Sequence, residues 1–468
     1  MKLQAISTGI STLDQILGGG LLEGGVYIVQ GAAGSGKTIL ANQIAFNTVA
    51  RGGTVAYVTL LAEEHARMMQ HMETFSFFRE DAIPGALHYV SAFDALMKEG
   101  LAGVVKVLSA EIRVRKANLI VLDGLVTAAG ASGSPQDLKV FIGQIQAIST
   151  LVGCNTLLLN SSWAPTSTSP EQTMVDGIVV LRQQLVRSRH ERALEVIKFR
   201  GASVLYGAHT FRIGDDGIEM FPQLEALPVA PLAPGISRGR VGSGVPGLDE
   251  MLGGGGYPAG SVTAISGPEG TGKTLLGLHF LAAATAVEPG LLFGLDESGE
   301  MAEPISAAFG IELEGLKFKG ALHLAGQPRF GESLDEVGYR LLAAVRDSGA
   351  RRVFIDGLAS VVAMPAYEER GAAFFAALFR ELRRLGVTTL FSVRATPDGT
   401  ALPPGREVAP LADNSLRVDA TQRGANAVRS VSISKVQASR HDPTSHELEL
   451  TTAGLRVGAP LDKRHGET

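Results

Sequence analysis

The chain has 468 residues, 45% of them hydrophobic and 19% charged, with a net charge of −5. That length suits two large domains rather than one core, the apolar content excludes whole-chain disorder, and the charge offers no global attraction to nucleic acid or an anionic membrane. A single cysteine, Cys154, excludes an intrachain disulfide and argues against a cysteine-based metal site, and the ten histidines show no HExxH or other ligand spacing.

The N-terminus, Met1-Lys2-Leu3-Gln4, lacks the apolar run of a signal peptide, so a cytoplasmic protein is expected. The segment from Thr8 to Asp14, followed by Leu17-Gly18-Gly19-Gly20, opens the first half. A strand-like run at 26–30 then leads into Gly31-Ala32-Ala33-Gly34-Ser35-Gly36-Lys37-Thr38 and an apolar, Gly/Pro-poor helix. This is a Walker A loop in the context that the motif requires. Its backbone N–H groups cradle phosphates, its lysine neutralises the outer phosphate oxygens, and its threonine reaches Mg²⁺. Further strands are expected at 54–60, 87–91, 119–122 and 156–160. Continuous apolar runs separated by helix-length segments predict a parallel sheet covered on both faces. After Asn160 the runs at 177–183, 193–199 and 209–213 crowd together, as antiparallel hairpins would. The densest basic patch, Arg187, Arg189, His190 and Arg192, reads as a solvated turn between two of them.

Four prolines, at 222, 228, 231 and 234, mark a linker. The expected division is a first domain at 1–225, a linker at 226–238, a second domain at 239–458 and a flexible tail at 459–468. The second half repeats the first. The segment from Ser243 to Asp249, followed by Leu252-Gly253-Gly254-Gly255, echoes the opening at an offset of 235 (249 − 14). A second Walker A loop, Gly267-Pro268-Glu269-Gly270-Thr271-Gly272-Lys273-Thr274, follows the run at 262–265, its lysine 236 residues after the first (273 − 37). The longest apolar stretch, 275–287, contains His279 and is too short to span a bilayer; it reads as the buried helix behind this loop. Asp356 echoes Asp123 at an offset of 233, and Lys435 echoes Lys198 at 237. The fold class expected is therefore α/β, two tandem RecA-like P-loop domains, each a mostly parallel sheet with helices on both faces.

Phosphoryl transfer needs charge neutralisation, a metal and a positioned nucleophile. Gly34, Ser35, Gly36, Lys37 and Thr38 form the first ATP-binding set, and Gly270, Thr271, Gly272, Lys273 and Thr274 the second. Asp123 and Asp356 end apolar strands, where a Walker B carboxylate would join Thr38 and Thr274 in holding Mg²⁺. The acid pairs Glu63-Glu64 and Asp296-Glu297 follow the strand after each P-loop helix and are the candidates for orienting the attacking water.

Taken together, the double P-loop, the LDxxLGGG-like openings, the acid pairs and the segment Val196-Ile197-Lys198-Phe199-Arg200-Gly201 resemble the KaiC family of tandem RecA-like ATPases over nearly the whole chain. The resemblance implies a homo-oligomeric ring, usually a hexamer of two tiers, with ATP between neighbouring subunits. Lys198 and Arg200 match a Lys-x-Arg pair that reaches the neighbour's nucleotide, and alternation on a strand places both on one face. The second half keeps Lys435 but has Gln437 in the arginine position, and its first acid is Asp296, one methylene shorter than Glu. Alignment with the family's autophosphorylation stretch puts Ala409 and Pro410 at the acceptor positions, and neither carries a hydroxyl. The leading expectation is a slow, Mg²⁺-dependent ATPase whose nucleotide state governs assembly and the binding of a protein partner. The alternatives are a Ser/Thr autokinase of the circadian-clock KaiC type, a DNA-dependent RecA-like ATPase, and a non-catalytic nucleotide-gated scaffold.

Overall fold

The computed structural model describes residues 4–60, 65–161, 173–186, 189–229, 239–295, 298–326, 332–364, 367–396, 398–423 and 426–461. The chain divides into two compact units, Met1–Leu227 and Pro228–Thr468.

In the first unit the strands are β1 (Ala5–Ile6), β2 (Leu21–Leu22), β3 (Val26–Gly31), β4 (Val55–Thr59), β5 (Leu87–Ser91), β6 (Leu119–Asp123), β7 (Asn155–Asn160), β8 (Gly177–Val186), β9 (Arg189–Phe199), β10 (Ala208–Gly214) and β11 (Gly217–Phe221). β1 and β2 form a small ribbon, and the others make a nine-stranded sheet ordered β11-β10-β9-β8-β3-β7-β6-β4-β5. The strands from β8 to β5 in that order pair in parallel, and β8 to β11 are antiparallel. The pleat explains why the central parallel strand is apolar on both faces. Tyr27 and Val29 pack on the P-loop helix residues Leu40, Ala41 and Ile44 on one face. Val26 and Ile28 pack on Val104, Phe141 and Ile145 on the other. Local signals set the helix ends. In Pro135–Val152, the Ser134 side chain accepts the Asp137 N–H, proline opens the first turn, and Gly153 closes it.

The second unit repeats this plan with β12 (Arg240–Val241), β13 (Tyr257–Pro258), β14 (Val262–Gly267), β15 (Gly290–Gly294), β16 (Leu322–Ala325), β17 (Arg352–Asp356), β18 (Thr388–Arg394), β19 (Asn414–Arg423), β20 (Asn426–Val436), β21 (His446–Thr451) and β22 (Gly454–Pro460). Its nine-stranded order, β16-β15-β17-β18-β14-β19-β20-β21-β22, is the first sheet written backwards. The small drift in the repeat has a location. Ala5 pairs Leu22, whereas Arg240 pairs Pro258. The offset therefore grows from 235 (240 − 5) to 236 (258 − 22) between these strands. The extra residue is the fourth glycine of Gly253–Gly254–Gly255–Gly256, against three at Gly18–Gly19–Gly20.

One internal contact shows how the two copies conserve volume. Gly277 on the second P-loop helix faces the Phe354 ring, and a Cβ there would lie 2.2 Å from the ring's Cε1. The equivalent positions in the first unit are Ala41 and Val121, both buried in one cluster. Small-against-large in one copy replaces medium-against-medium in the other.

Three expectations are adjusted. The helix behind the second P-loop runs only Lys273–Ala282, not to 287. Thr285 caps a turn by accepting the Glu288 N–H through its hydroxyl, and Val287 is 87% exposed. In the basic patch, Arg189, His190 and Arg192 lie on β9 itself, paired with β8, rather than in a turn, and Arg187 lies outside the described residues. At the C-terminus β22 continues to Pro460, which pairs with His446, two residues into the expected tail. Cys154 is buried, and burial pushes its thiol up to about 12, so it stays protonated and inert at neutral pH. Among the described residues no helix is long and apolar enough to cross a membrane.

Candidate nucleotide sites

Each P-loop leaves the C-terminal end of the central strand of its sheet, the edge where open α/β sheets take ligands. At the loop's first glycine no side chain fits. A Cβ on Gly31 would lie 2.5 Å from Leu181 O, and one on Gly267 would lie 2.0 Å from Val418 O. Gly36 and Gly272 then start the helices at φ 101° and 107°, a conformation that favours glycine. Around Gly34 and Gly270 a Cβ would meet nothing within 4 Å, so the middle of each loop is an open cradle.

The lysines are held across these loops. Lys37 Nζ donates to Gly31 O and Ala32 O, each at 2.9 Å. Lys273 Nζ donates to Gly267 O at 2.9 Å and Pro268 O at 2.5 Å. Burial lowers the pKa of both, while Asp123 and Asp356 respectively pull it back up. Each lysine is therefore held on the loop carbonyls within the field of its strand-end aspartate.

The threonine and aspartate are joined differently in the two units. In the second, Thr274 Oγ1 donates directly to Asp356 Oδ2 at 2.9 Å, and Ser392 and the Gly357 N–H donate to Oδ1. In the first, Tyr57 stands between them. Its hydroxyl donates to Asp123 Oδ2 at 3.1 Å and also bonds the Thr38 hydroxyl. Burial, then the Asp123 charge, raises the Tyr57 pKa far above its ordinary value, so it remains a donor. The equivalent of Tyr57 is Leu292, because β4 meets β6 and β15 meets β17 in the same register. Lys37, Thr38, Asp123, Thr59 and His65 line a cavity of about 1040 Å³ in the first unit. There Thr59 Oγ1 and His65 Nε2 lie 2.8 Å apart.

Hard oxygen donors with a single carboxylate suit Mg²⁺, which keeps waters and takes phosphate oxygens rather than sitting in an all-protein cage. Among the described residues no cluster of three or more His, Cys, Asp or Glu could hold a metal ion by itself.

Glu63, Glu64, Asp296 and Glu297 lie outside the described residues. The residues at the ends of the preceding strands are described: the Leu60 N–H donates to Asp123 O and the Leu295 N–H to Asp356 O, both at 2.9 Å. Lys198 Nζ donates to Thr173 O at 3.0 Å, and Arg200 Nη2 to the same oxygen at 3.2 Å, so both cations lie on one face. Lys435 Nζ donates to Ala412 O at 2.7 Å.

A family model described as the ATPase KaiC matches residues 6–225 and again 241–462. The chain belongs to the KaiC family. It is an ATP-binding protein of P-loop ATPase type, duplicated along its length. KaiC relatives extend over almost the whole chain. The circadian clock oscillator protein KaiC of Picosynechococcus sp. is 24% identical over 477 residues, covering 97% of this chain and 90% of that protein. The protein of the same name from Thermosynechococcus vestitus is 25% identical over 478 residues, covering 97% and 89%. The circadian clock oscillator protein KaiC 1 of Synechocystis sp. is 27% identical over 378 residues, covering 77% and 70%.

Several residues that brace these KaiC-type units escape a motif reading. Asp176 Oδ2 accepts the Val26 N–H at 3.0 Å and Asp413 Oδ2 accepts the Val262 N–H at 2.8 Å, tying a distant segment to the start of each P-loop strand. Their offset of 237 (413 − 176) equals that of Lys198 and Lys435, the one signal that could have found them. Tyr57 and Ser392 have no counterpart in the other copy, so the repeat gives no hint of them.

Proposed function

We propose that this chain is a ring-forming ATPase that cleaves ATP slowly, with Mg²⁺, at subunit interfaces, its nucleotide state governing assembly and the binding of a protein partner. The reading rests on a pocket built twice: a cradle, a lysine across it, and a threonine hydroxyl linked to a strand-end aspartate. In each unit the loop N–H groups take the phosphate oxygens, and Lys37 or Lys273 exchanges carbonyl partners for them. Thr38 with Asp123, and Thr274 with Asp356, would hold the metal, which when bound supplies positive charge to the phosphates. Glu63 or Glu64 orients a water and takes its proton. The water oxygen bonds to the terminal phosphorus as the bond to the bridging oxygen breaks, releasing ADP and inorganic phosphate. Asp296 and Glu297 have the corresponding role in the second unit, which binds ATP more than it cleaves it.

Lys198 and Arg200 serve the nucleotide of a neighbouring subunit, and Lys435 serves it alone in the second tier; a homohexamer is the ring that the family resemblance implies. With Ala409 and Pro410 at the acceptor positions, a clock-type autokinase is disfavoured.

The test is steady-state turnover of wild type beside a Glu63→Gln/Glu64→Gln double variant. A large loss supports the assignment. Equal turnover places hydrolysis in the second unit or removes it from the protein, and repeating the assay with Lys273→Ala separates those outcomes.

A further inference from the structure

We propose that Arg394 binds the terminal phosphate of ATP in the second pocket from within the same chain, and that Glu269 is its alternative partner when that phosphate is absent. The inference rests on the second pocket being a nucleotide site.

Topology places Arg394 at the right edge. β18 lies between β14, which ends in the P-loop, and β17, which ends in Asp356, and Arg394 is in register with Gly267. Along a strand, residues two apart share a face. Ser392 donates to Asp356 Oδ1, and Asp356 Oδ2 takes the Thr274 hydroxyl, so that face is the one bearing the candidate metal ligands. Arg394 is on the same face, about 7 Å further toward the ligand edge. Its Nη2 lies 2.7 Å from Glu269 Oε1, on the P-loop itself. Both side chains are more than half exposed, at 53% and 71%, so the pair is weak and readily exchanged. Lys273 registers both charges, Glu269 raising its pKa and Arg394 lowering it.

The first pocket has neither charge. Its corresponding positions are Ala33 and Ser161. The first unit has instead Arg200 on its late strand, where the second unit has Gln437. The late-strand arginine is thus missing from the second copy, where Arg394 and Arg429 instead reach the P-loop, at Glu269 and at Gly270 O. A guanidinium recognises a phosphate in bidentate fashion, and a terminal phosphate carries more charge than the Glu269 carboxylate. ADP lacks that group, so Arg394 remains on Glu269 and the pocket discriminates between the two nucleotides.

Equilibrium dialysis of ATP and ADP with Mg²⁺, in a Lys37→Ala background, tests this. Arg394→Gln is expected to weaken ATP by about tenfold and to change ADP by less than about twofold. Arg394→Lys should recover part of the loss, and Glu269→Gln should tighten ATP by freeing the arginine. An ATP-to-ADP affinity ratio in Arg394→Gln equal to that of the Lys37→Ala parent overturns the inference and leaves the nucleotide site standing. Failure of the parent to bind either nucleotide removes both.

Discussion

The two pockets share their backbone and differ in the side chains that fix the strand-end carboxylate. In both, the lysine donates to the first two loop carbonyls, and an aspartate 150 or 151 residues downstream accepts the first N–H of the P-loop strand. Yet Asp123 is held by a buried tyrosine from β4 that also touches Thr38, whereas Asp356 is held by Thr274 itself and by Ser392 from β18. Duplication kept what positions the phosphate cradle and let the hydrogen bonds around the metal ligands diverge. A hydroxyl already committed to the aspartate must reorganise on binding a metal. A hydroxyl linked through tyrosine can turn without leaving the carboxylate unpaired. That difference gives a physical reason to expect hydrolysis in the first unit and retention in the second.

The largest expected effect breaks the comparison directly. Lys37→Ala should lower turnover by about a hundredfold or more, the scale of losing a charge aimed at the developing anion, while Lys273→Ala should change it by less than about threefold. Comparable losses in both variants would mean the pockets work alike. A second test addresses packing. Gly277→Ala would ordinarily favour a helix by about 1 kcal/mol, but the Cβ would lie 2.2 Å from Phe354. Overpacking costs about 1–3 kcal/mol, so the variant should be less stable in urea titration, and adding Phe354→Val should restore it. A third sharpens the carboxylate contrast. Tyr57→Phe should lower turnover by about tenfold, the scale of one lost hydrogen bond to a charged group, and Ser392→Ala should leave turnover unchanged while altering nucleotide retention.

The smallest effect concerns pH. His279 Nε2 accepts the Leu455 N–H at 2.9 Å, so the ring must be neutral at that atom. Burial lowers its pKa from 6.5, so the unfolded chain binds the proton more readily. Stability of the second unit is therefore full above about pH 6.5 and falls on acidification toward the lower folded value, by up to about 1.4 kcal/mol per pH unit for one group. His65 is shifted the same way by burial, which gives the first unit the same sign. A His279→Gln variant should flatten the pH dependence of thermal unfolding in the second unit only.

The sequence made the repeat, the parallel core and the two cradles legible because each depends on local pattern: a glycine spacing, a continuous apolar run, an aspartate at a strand end. It hid what depends on register across the sheet. Nothing around Tyr57 announces that β4 lies beside β6 with Tyr57 opposite Val121 and two residues short of Asp123. Ser392 looks like any strand residue until β18 is seen between β14 and β17. The stretch at 275–287 misled because its hydrophobicity continues where its helix does not. Ala283 closes the helix, and the turn from Thr285 to Glu288 exposes Val287 before Pro289.

Native mass spectrometry with ATP and Mg²⁺ reads subunit number and bound nucleotides in the same ions. Closed rings, six chains by the family resemblance, carrying nucleotide in both tiers and falling apart in a Lys198→Ala/Arg200→Ala variant are the predicted result. Single chains that retain no nucleotide at millimolar ATP would contradict the account.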